Sequence, residues 1–245
     1  MTDRIQTSGG SWLSQVKHLT NNLLDFVFPP VCANCKKPGQ LLCADCLAKI
    51  TWLKEPICAH CGRVVIKKTE RCSACLHTPL HPVDPVKAAV IFAEPIPTVI
   101  HQLKYNGCFA LAKPLADLMV DAWTKWQMPV DLVVGVPLHP LREKKRGYNQ
   151  SDLLARHFCE RVNVAEDKRA LRRVRHTSPQ VSLGASERIV NVANAFVADS
   201  SKVTGKDILL IDDVCTTGST LKAAAEALIA AGARRVSGYC LARAL

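Results

Sequence analysis

Apolar residues recur along the chain with two different spacings, and each spacing predicts a different kind of element. Near the N-terminus they recur at helical spacing until Pro29-Pro30, which predicts an amphipathic helix within residues 1–30. Little basic charge flanks this helix, so we expect it to pack on the protein's own core rather than on a membrane or a partner. Its apolar positions are Trp12, Leu13, Val16, Leu19, Leu23, Leu24, Val27 and Phe28.

From about residue 87 onward, short apolar runs alternate with stretches of helical periodicity. Alternation of this kind is typical of an α/β fold, with a mostly parallel sheet and crossover helices on both of its faces. The apolar runs predict strands at 88–93, 132–136 and 208–211, the last of them buried on both faces. The periodic stretches predict helices at 96–104, 110–126, 149–161, 186–194 and 220–231.

The composition of the 245-residue chain fits one medium-sized α/β domain, predicted at residues 83–245, with a small module attached. Its 48% of hydrophobic residues excludes a disordered chain. No stretch approaches the ~18 to 20 apolar residues that a membrane-spanning helix needs. Residues 1–10 lack the basic end and the apolar run of a secretory signal. We therefore expect a cytoplasmic protein, with a peripheral position at the inner face of the membrane as the alternative.

Positive charge is unevenly distributed along the chain. The formal net charge is +11, and residues 1–81 and 130–190 each carry a surplus of five cations. Eight cysteine thiolates around two zinc ions would lower the net charge to roughly +7. The basic excess that remains is concentrated between Arg142 and Arg188, so its location matters more than its total.

Eight of the twelve cysteines form four pairs with the spacing Cys-x-x-Cys. In a reducing compartment such pairs bind metal rather than form disulfides, so residues 31–82 are predicted to be a module with two zinc sites of four cysteines each. Pairing neighbours (first with second, third with fourth) and pairing alternate motifs (first with third, second with fourth) both satisfy tetrahedral geometry. Closed sites of this kind are structural, and His60 and His77 are interpreted as bystanders. The pairs are Cys32/Cys35, Cys43/Cys46, Cys58/Cys61 and Cys72/Cys75.

Basic residues surround these cysteine pairs, and two interpretations fit them equally well. They form either a solvated surface or a contact for nucleic acid. The residues are Lys36, Lys37, Arg63, Lys67, Lys68 and Arg71.

The most informative segment is residues 208–220, with the sequence Ile-Leu-Leu-Ile-Asp-Asp-Val-Cys-Thr-Thr-Gly-Ser-Thr. A buried strand delivers Asp212 and Asp213, the acid pair, to the sheet edge where open α/β sheets bind ligands. The following phosphate turn offers backbone N–H groups, hydroxyls and a helix N-terminus, which together accept a phosphate. The acid pair is expected to accept hydrogen bonds from a sugar diol, directly or through Mg²⁺. The phosphate turn consists of Cys215, Thr216, Thr217, Gly218, Ser219 and Thr220.

This strand, acid pair and turn resemble the 5-phosphoribosyl-1-pyrophosphate (PRPP) loop of type I phosphoribosyltransferases. From about Leu23 to the C-terminus the chain is similar to the ComF family of bacterial competence and DNA-utilisation proteins. Besides the cysteine pairs and the PRPP-like loop, the matching motifs are His-Gln-Leu-Lys-Tyr-Asn-Gly at 101–107, Val-Pro-Leu-His at 136–139, Arg-Gly-Tyr-Asn-Gln-Ser at 146–151 and the stretch 177–196.

The resemblance implies a phosphoribosyltransferase-like fold that binds PRPP or a related phosphoribosyl ligand with magnesium. It assigns the ligand's 5-phosphate to the phosphate turn and the ribose hydroxyls to the acid pair. It also implies a part in DNA uptake or utilisation during competence, with proteins of the uptake machinery as partners and weak binding of single-stranded DNA. The diphosphate would face the backbone of Val136, Pro137, Leu138 and His139.

A cluster of cations, Arg142, Lys144, Lys145 and Arg146, follows the second predicted strand. A solvated loop is the simple interpretation. We favour a mobile arm that closes over the diphosphate, because Gly147 supplies a hinge and Asn149 and Gln150 supply polar contacts. Weaker candidates for a hood over an acceptor are Lys104, Tyr105, Gln180, Arg188 and Asn191, each of which fits a surface or capping role equally well.

One departure from the resemblance concerns catalysis. Hypoxanthine-type enzymes of this fold carry a carboxylate where this chain has Thr216. Its absence weakens a role in purine salvage and leaves binding of the phosphoribosyl ligand better supported than turnover. The alternative function is an active phosphoribosyltransferase in nucleotide salvage that acts on an unidentified nitrogen acceptor. A third hypothesis, a purely structural adaptor, would leave the acid pair without a role.

Overall fold

The computed structural model describes residues 29–126, 128–175 and 195–245. Its main sheet has four parallel strands in the order β1-β6-β5-β2. A second, antiparallel sheet pairs β3 with β4. The strands are β1 (Val83–Ile91), β2 (Leu132–Gly135), β3 (Leu171–Arg173), β4 (Phe196–Ala198), β5 (Asp207–Cys215) and β6 (Arg235–Arg243). The predicted α/β fold with a parallel sheet is therefore confirmed.

Helices connect the strands of the described ranges. The predicted helices at 96–104, 149–161 and 220–231 are confirmed to within a residue at each end. The one predicted at 110–126 is a 3-10 turn, Phe109–Leu111, followed by a shorter helix, while the apolar positions 12–28 and the segment 186–194 lie outside the described residues. The helices are α1 (Ala44–Leu47), α2 (Ser73–His77), α3 (Ile96–Tyr105), α4 (Ala112–Trp123), α5 (Pro140–Arg146), α6 (Gln150–Val162), α7 (Ser200–Val203) and α8 (Ser219–Ala230).

Two hydrophobic cores lie on opposite faces of the main sheet. Because side chains alternate along a strand, neighbouring residues of β5 such as Leu209 and Leu210 belong to different cores. One core joins the sheet to α3, α4 and α6, and the other joins it to α8. The sheet is thus covered on both faces, which explains why residues 208–211 of β5 are a continuous apolar run.

The main sheet extends beyond the strands that the pattern predicts. β5 continues past Ile211 and includes the acid pair, because its pairing with β6 runs from Asp207 to Cys215. The acid pair thus lies in the last residues of a strand rather than after it. β6 lies between β1 and β5 and has no counterpart in the sequence-based prediction.

The cysteine module, residues 31–82, is joined to the edge of the main sheet at β1. The Leu53 N–H donates to the Ala89 carbonyl at 3.0 Å, and the Ile91 N–H donates to the Thr51 carbonyl at 2.8 Å. Cysteines of the module also belong to both hydrophobic cores, Cys46 to one and Cys58 to the other. The module therefore shares its cores with the main sheet.

Gly135, the last residue of β2, allows α6 to approach the sheet closely. A Cβ atom there would lie 2.9 Å from the Asp152 backbone nitrogen and 2.9 Å from the Ser151 carbonyl carbon. Since backbone cannot move aside as a side chain can, Gly135→Ala is expected to lower the free energy of unfolding by about 2–3 kcal/mol in urea titrations. Gly238→Ala is the matched control, because its Cβ would meet a side-chain atom, Cδ1 of Leu221, at 3.1 Å. Equal losses for the two variants would contradict this explanation.

Candidate functional site

A cavity of about 470 Å³ opens at the carboxyl edge of β5 and β2. It brings together the acid pair and the phosphate turn, as the sequence predicts. Of the second predicted loop, Val136, Pro137 and Leu138 line the cavity, and so do Lys104 and Tyr105 from α3. The other lining residues are Phe92, Ile100, Arg142, Arg146, Gln150, Arg173, Val214 and Leu221.

The acid pair is held by a network of polar contacts at the floor of this cavity. Asp212 Oδ1 accepts hydrogen bonds from the Ser151 hydroxyl and from the Asp213 N–H, each at 2.9 Å. The Asp213 carboxylate forms an ion pair with the Lys104 ammonium, and the two side chains are 5% and 22% exposed. Lys104 therefore lies against the acid pair itself rather than only over an acceptor site.

Burial and mutual repulsion disfavour a negative charge on both carboxylates of the acid pair at once. Desolvation raises the pKa of Asp212 to about 7, the charge of Asp213 adds to this effect, and Lys104 opposes it. Desolvation would lower the pKa of Lys104, but the charge of Asp213 and the hydrogen bond to it raise that pKa overall. Near neutral pH, Asp212 is therefore poised to gain or lose a proton when a ligand binds.

The phosphate turn begins α8 and is supported from behind. Gly218 adopts a left-handed backbone, φ 84°, at the N-cap of the helix, a conformation that glycine takes without steric cost. The Thr217 and Ser219 hydroxyls lie 3.0 Å apart. A Cβ atom on Gly218 would come within 2.8 Å of Leu80 Cδ2, so the turn packs directly on the cysteine module. Backbone N–H groups at the start of a 12-residue helix suit an anion.

The loop after β2 provides the facing wall of the cavity. Its first carbonyl, that of Val136, accepts a hydrogen bond from the Asn149 side-chain amide at 3.1 Å. The side chain of His139 caps α5, because its Nδ1 accepts the Leu141 N–H at 3.3 Å, and the contact of its backbone with a diphosphate stays a prediction. The wall thus presents Val136, Pro137 and Leu138, while His139 is the N-cap of the next helix.

The cationic segment predicted to be a loop or an arm is the helix α5. Gly147 ends this helix in a left-handed conformation, φ 88°, which is a common way to terminate a helix. Asn149 is 3% exposed and caps α6 through the Ser151 N–H, so it supports this segment from within, and a polar contact from it to a ligand stays a prediction. Arg142 and Arg146 line the cavity, whereas Lys144 and Lys145 are exposed to solvent. Closure of this segment over a diphosphate stays a prediction.

Two further polar residues of the cavity accompany these arginines. Gln150 accepts a hydrogen bond from the Arg146 guanidinium, which also lies 5.2 Å from the centre of the Tyr105 ring. Of the other hood candidates, Gln180, Arg188 and Asn191 lie outside the described residues.

Arg173 is a cavity residue that the sequence-based prediction misses. It lies on β3, is 8% exposed, and its guanidinium is 5.3 Å from the centre of the Phe196 ring. Burial lowers the pKa of Arg173 to about 10, with a contribution from the charge of Arg142, so it remains cationic at neutral pH. The sequence gives no signal for it, because Arg172 and Arg173 are identical neighbours and only the structure shows that the first is exposed and the second buried. Three arginines of the described ranges therefore line the cavity.

The eight paired cysteines form two clusters, and each joins neighbouring pairs along the chain. The first holds Cys32, Cys35, Cys43 and Cys46, and the second holds Cys58, Cys61, Cys72 and Cys75. Five of the sulfur-to-sulfur distances are 3.6 to 3.9 Å, and all four sulfur atoms of each cluster lie within 4.8 Å of one another. Tetrahedral zinc with bonds of about 2.3 Å requires ligands about 3.8 Å apart, so both clusters fit Zn²⁺. The crossed pairing is excluded, and both histidines lie outside the clusters.

Some basic residues around the clusters are already paired with acids. Lys37 lies 3.0 Å from Asp45, and Lys68 lies 3.3 Å from Glu55. Exposed pairs of this kind are weak and would exchange readily with other anions.

No helix among the described residues combines the length and the apolar character that spanning a bilayer requires.

Comparison with known proteins agrees with both parts of the chain. Residues 23–76 match the double zinc ribbon domain, and residues 106–245 match the phosphoribosyl transferase domain. The DNA utilization protein YhgH of Escherichia coli is 33% identical over 89% of this chain and 98% of that protein. Competence protein F of Haemophilus influenzae is 32% identical over 83% of this chain and 90% of that protein.

Among solved structures, the glutamine PRPP amidotransferase of B. subtilis matches with a TM-score of 0.39. Its sequence identity is 20%, over 53% of this chain and 26% of that chain.

Proposed function

This chain belongs to the ComF family of DNA-utilisation and competence proteins, and from this premise we propose that its cavity binds PRPP or a related phosphoribosyl ligand together with Mg²⁺. One observation carries the proposal. A single cavity gathers an acid pair, the N-terminus of α8 and three arginines of the described residues. Those three features match a sugar diol, a monophosphate and a diphosphate, which are the three polar parts of PRPP.

Each part of the ligand has a chemically suitable partner in the cavity. The 5-phosphate would lie on the backbone N–H groups and hydroxyls of the phosphate turn. The ribose hydroxyls would donate to Asp212 and Asp213, and the diphosphate would lie between the loop after β2 and the arginines. Magnesium, when bound with the ligand, would neutralise part of the diphosphate charge and so make it a better leaving group.

The acid pair supplies oxygen atoms of the kind that Mg²⁺ prefers, so these residues fit the ion. Lys104 already pairs with Asp213. A ligand that engages Asp213 through a hydroxyl or a metal would therefore share that carboxylate with the Lys104 ammonium, and the pair would rearrange on binding.

The biological role that follows is participation in DNA uptake or utilisation, with proteins of the uptake machinery as partners. Weak binding of single-stranded DNA is supported by exposed cations on both parts of the chain, such as Lys67, Arg71, Lys144 and Lys145. With aromatic residues at only 5%, base stacking would contribute little. Affinity for a single-stranded oligonucleotide should fall steeply as salt rises, and an affinity that does not change with salt would contradict this mode.

A second candidate function is transfer of the phosphoribosyl group to a nitrogen acceptor in nucleotide salvage. The presence of Phe92, Ile100 and Tyr105 in the cavity lining favours it, because a planar acceptor could pack against such side chains. Thr216 stands at the position where related enzymes carry the carboxylate that deprotonates purine acceptors, which disfavours a purine. A screen of nucleobases and amines for pyrophosphate release from PRPP separates binding from turnover.

The cavity arginines provide the sharpest test of how the diphosphate is bound. Arg142→Gln with Arg146→Gln is expected to weaken PRPP binding by about 100-fold or more, since charge-assisted hydrogen bonds contribute about 1.5–3 kcal/mol each. Binding of ribose 5-phosphate, which has no diphosphate, should change little in the same calorimetric titration. The matched control is Lys144→Gln with Lys145→Gln, on the exposed side of the same helix. If the control loses as much PRPP affinity, the arginines act only through overall charge.

A further inference from the structure

Arg243 joins the second cysteine cluster to the phosphate turn. It is the last residue of β6 and is 1% exposed. Its Nε donates to the Cys61 carbonyl at 3.1 Å, and its Nη1 donates to the Cys215 carbonyl at 2.6 Å and to the Thr216 carbonyl. One guanidinium therefore holds a metal-ligand residue and two consecutive residues of the turn.

The orientation of these carbonyls determines where the N–H groups of the turn point. In a trans peptide the carbonyl and the following N–H point in opposite directions. When the Cys215 and Thr216 carbonyls turn towards Arg243, the N–H groups of Thr216 and Thr217 turn the other way. Thr216 and Thr217 line the cavity, so these N–H groups are directed to the side from which an anion would approach.

Two other contacts also join the module to the turn and to the helix that follows it. A Cβ atom on Gly218 would lie 2.8 Å from Leu80 Cδ2, so the turn approaches Leu80 closely, and the Lys222 ammonium donates to the Pro79 carbonyl at 3.2 Å. Cys61 itself is buried in the same hydrophobic core as Leu80 and Cys215. The turn thus rests on a surface that a metal-ordered segment provides.

We propose that Arg243 is a positioning residue that couples the second zinc site to the phosphate turn. Zinc fixes the Cys61 backbone and Cys61 fixes the guanidinium. The guanidinium, together with the Ala244 N–H that also donates to the Cys215 carbonyl at 3.0 Å, orients the N–H groups inferred to bind phosphate. The inference rests on the proposed phosphoribosyl ligand but goes beyond it, because it makes the zinc module part of the binding apparatus. Coupling of this kind is reciprocal, so a phosphorylated ligand should in turn stabilise the second zinc site.

The first test compares Arg243→Met and Arg243→Lys with a control of similar burial on the same strand, Tyr239→Phe. Tyr239 is fully buried and donates to the Met119 carbonyl on the opposite face of the sheet. Arg243→Met should bind both PRPP with Mg²⁺ and ribose 5-phosphate about 10- to 100-fold more weakly, since both use the turn. Arg243→Lys should recover part of the affinity, and Tyr239→Phe should bind as the parent chain does.

The outcomes separate the inference from the proposed function. If the parent chain binds neither ligand, the proposed function fails and the inference fails with it. If the parent chain binds both and Arg243→Met binds them equally well, only the inference fails. Loss of PRPP binding with retention of ribose 5-phosphate would also overturn it, because the 5-phosphate is the group that the turn is inferred to hold.

A second measurement needs no change at Arg243 and remains informative if that variant does not fold. Zinc release to a chromophoric chelator is followed in the parent chain with and without ribose 5-phosphate. The ligand should slow release from the second site and leave the first unchanged. A Cys35→Ser chain, altered only in the first cluster, identifies which phase is which. Equal slowing of both phases, or of neither, would overturn the coupling.

Discussion

Replacing Asp212 by Asn is expected to weaken PRPP binding by about 10- to 100-fold and, at pH 8, to increase the free energy of unfolding. The first effect follows because an amide cannot offer the charged acceptor that a ribose hydroxyl finds in a carboxylate. The second effect follows because ionised Asp212 lies beside Asp213 in a desolvated site that disfavours its charge. Opposite changes in binding and stability are typical of a residue kept for function.

The difference between the folded and unfolded pKa of Asp212 determines whether its ionisation stabilises or destabilises the folded chain. The pKa of Asp212 is about 7 in the folded chain and near 3.9 in an unfolded chain. The cost of ionising it in the folded state is therefore absent below about pH 4, grows between the two values and is complete above about pH 7. This pKa difference can lower the free energy of unfolding by at most about 4 kcal/mol, at about 1.4 kcal/mol per pKa unit. We expect a loss of about 1–2 kcal/mol, because Asp212 is partly open to the cavity.

Urea titrations at pH 8 and pH 4 measure this effect, and Asp207→Asn is the matched control. Asp207 lies at the other end of β5, where the hydrogen bond from Arg234 lowers its pKa. Asp207→Asn should therefore be less stable than the parent chain at pH 8, whereas Asp212→Asn should be more stable. An Asp212→Asn chain that is also less stable at pH 8 would contradict the account of the acid pair.

Loss of the second zinc site is expected to be the most destabilising single change in the described part of the chain. Its four cysteines are buried in the core that also holds Val83 and Val86 of β1. A segment as small as the module cannot fold without its metal, and structural zinc contributes about 10–16 kcal/mol of apparent binding free energy. Cys61→Ser should therefore bind one zinc ion instead of two and lose cooperative thermal unfolding.

The control for this variant is Cys108→Ser, which removes a partly exposed thiol outside both clusters. It should keep two zinc ions and unfold at the temperature of the parent chain. Zinc content by atomic absorption, with thermal unfolding by circular dichroism, checks both chains. A Cys61→Ser chain that retains two zinc ions and its unfolding temperature would show that the cluster is not a metal site.

Local signals account for the parts of the fold and site that the sequence predicts. The Cys-x-x-Cys spacing identifies all eight members of the two clusters, since each pair is a short turn with both sulfurs on one side. The acid pair follows four aliphatic residues and precedes the phosphate turn, so strand, carboxylates and turn can be located together. These inferences need only residues that are close in sequence.

Contacts between distant residues explain what the sequence does not predict. β6 carries Ser237, Gly238 and Arg243 among its apolar residues, so its pattern does not resemble a central strand. The ion pair of Lys104 with Asp213 joins residues from two separate elements. Nothing in the local pattern of Arg243 indicates that it reaches both the module and the turn.

The motif Arg146-Gly-Tyr-Asn-Gln-Ser151 illustrates the same limit at the level of side chains. Its polar residues suggest ligand contacts, but Tyr148 donates to the Leu103 carbonyl and Asn149 caps α6. Ser151 donates to Asp212. The motif therefore acts largely by positioning the acid pair and the loop after β2, a role that becomes visible only once its partners are in place.

Calorimetric titration of the chain with PRPP in the presence of Mg²⁺ tests most directly whether the cavity is a phosphoribosyl site. We predict saturable binding to one site per chain, competition by ribose 5-phosphate, and a large loss of affinity in the Asp212→Asn chain. No heat of binding at millimolar PRPP, or binding that Asp212→Asn leaves unchanged, would contradict the account.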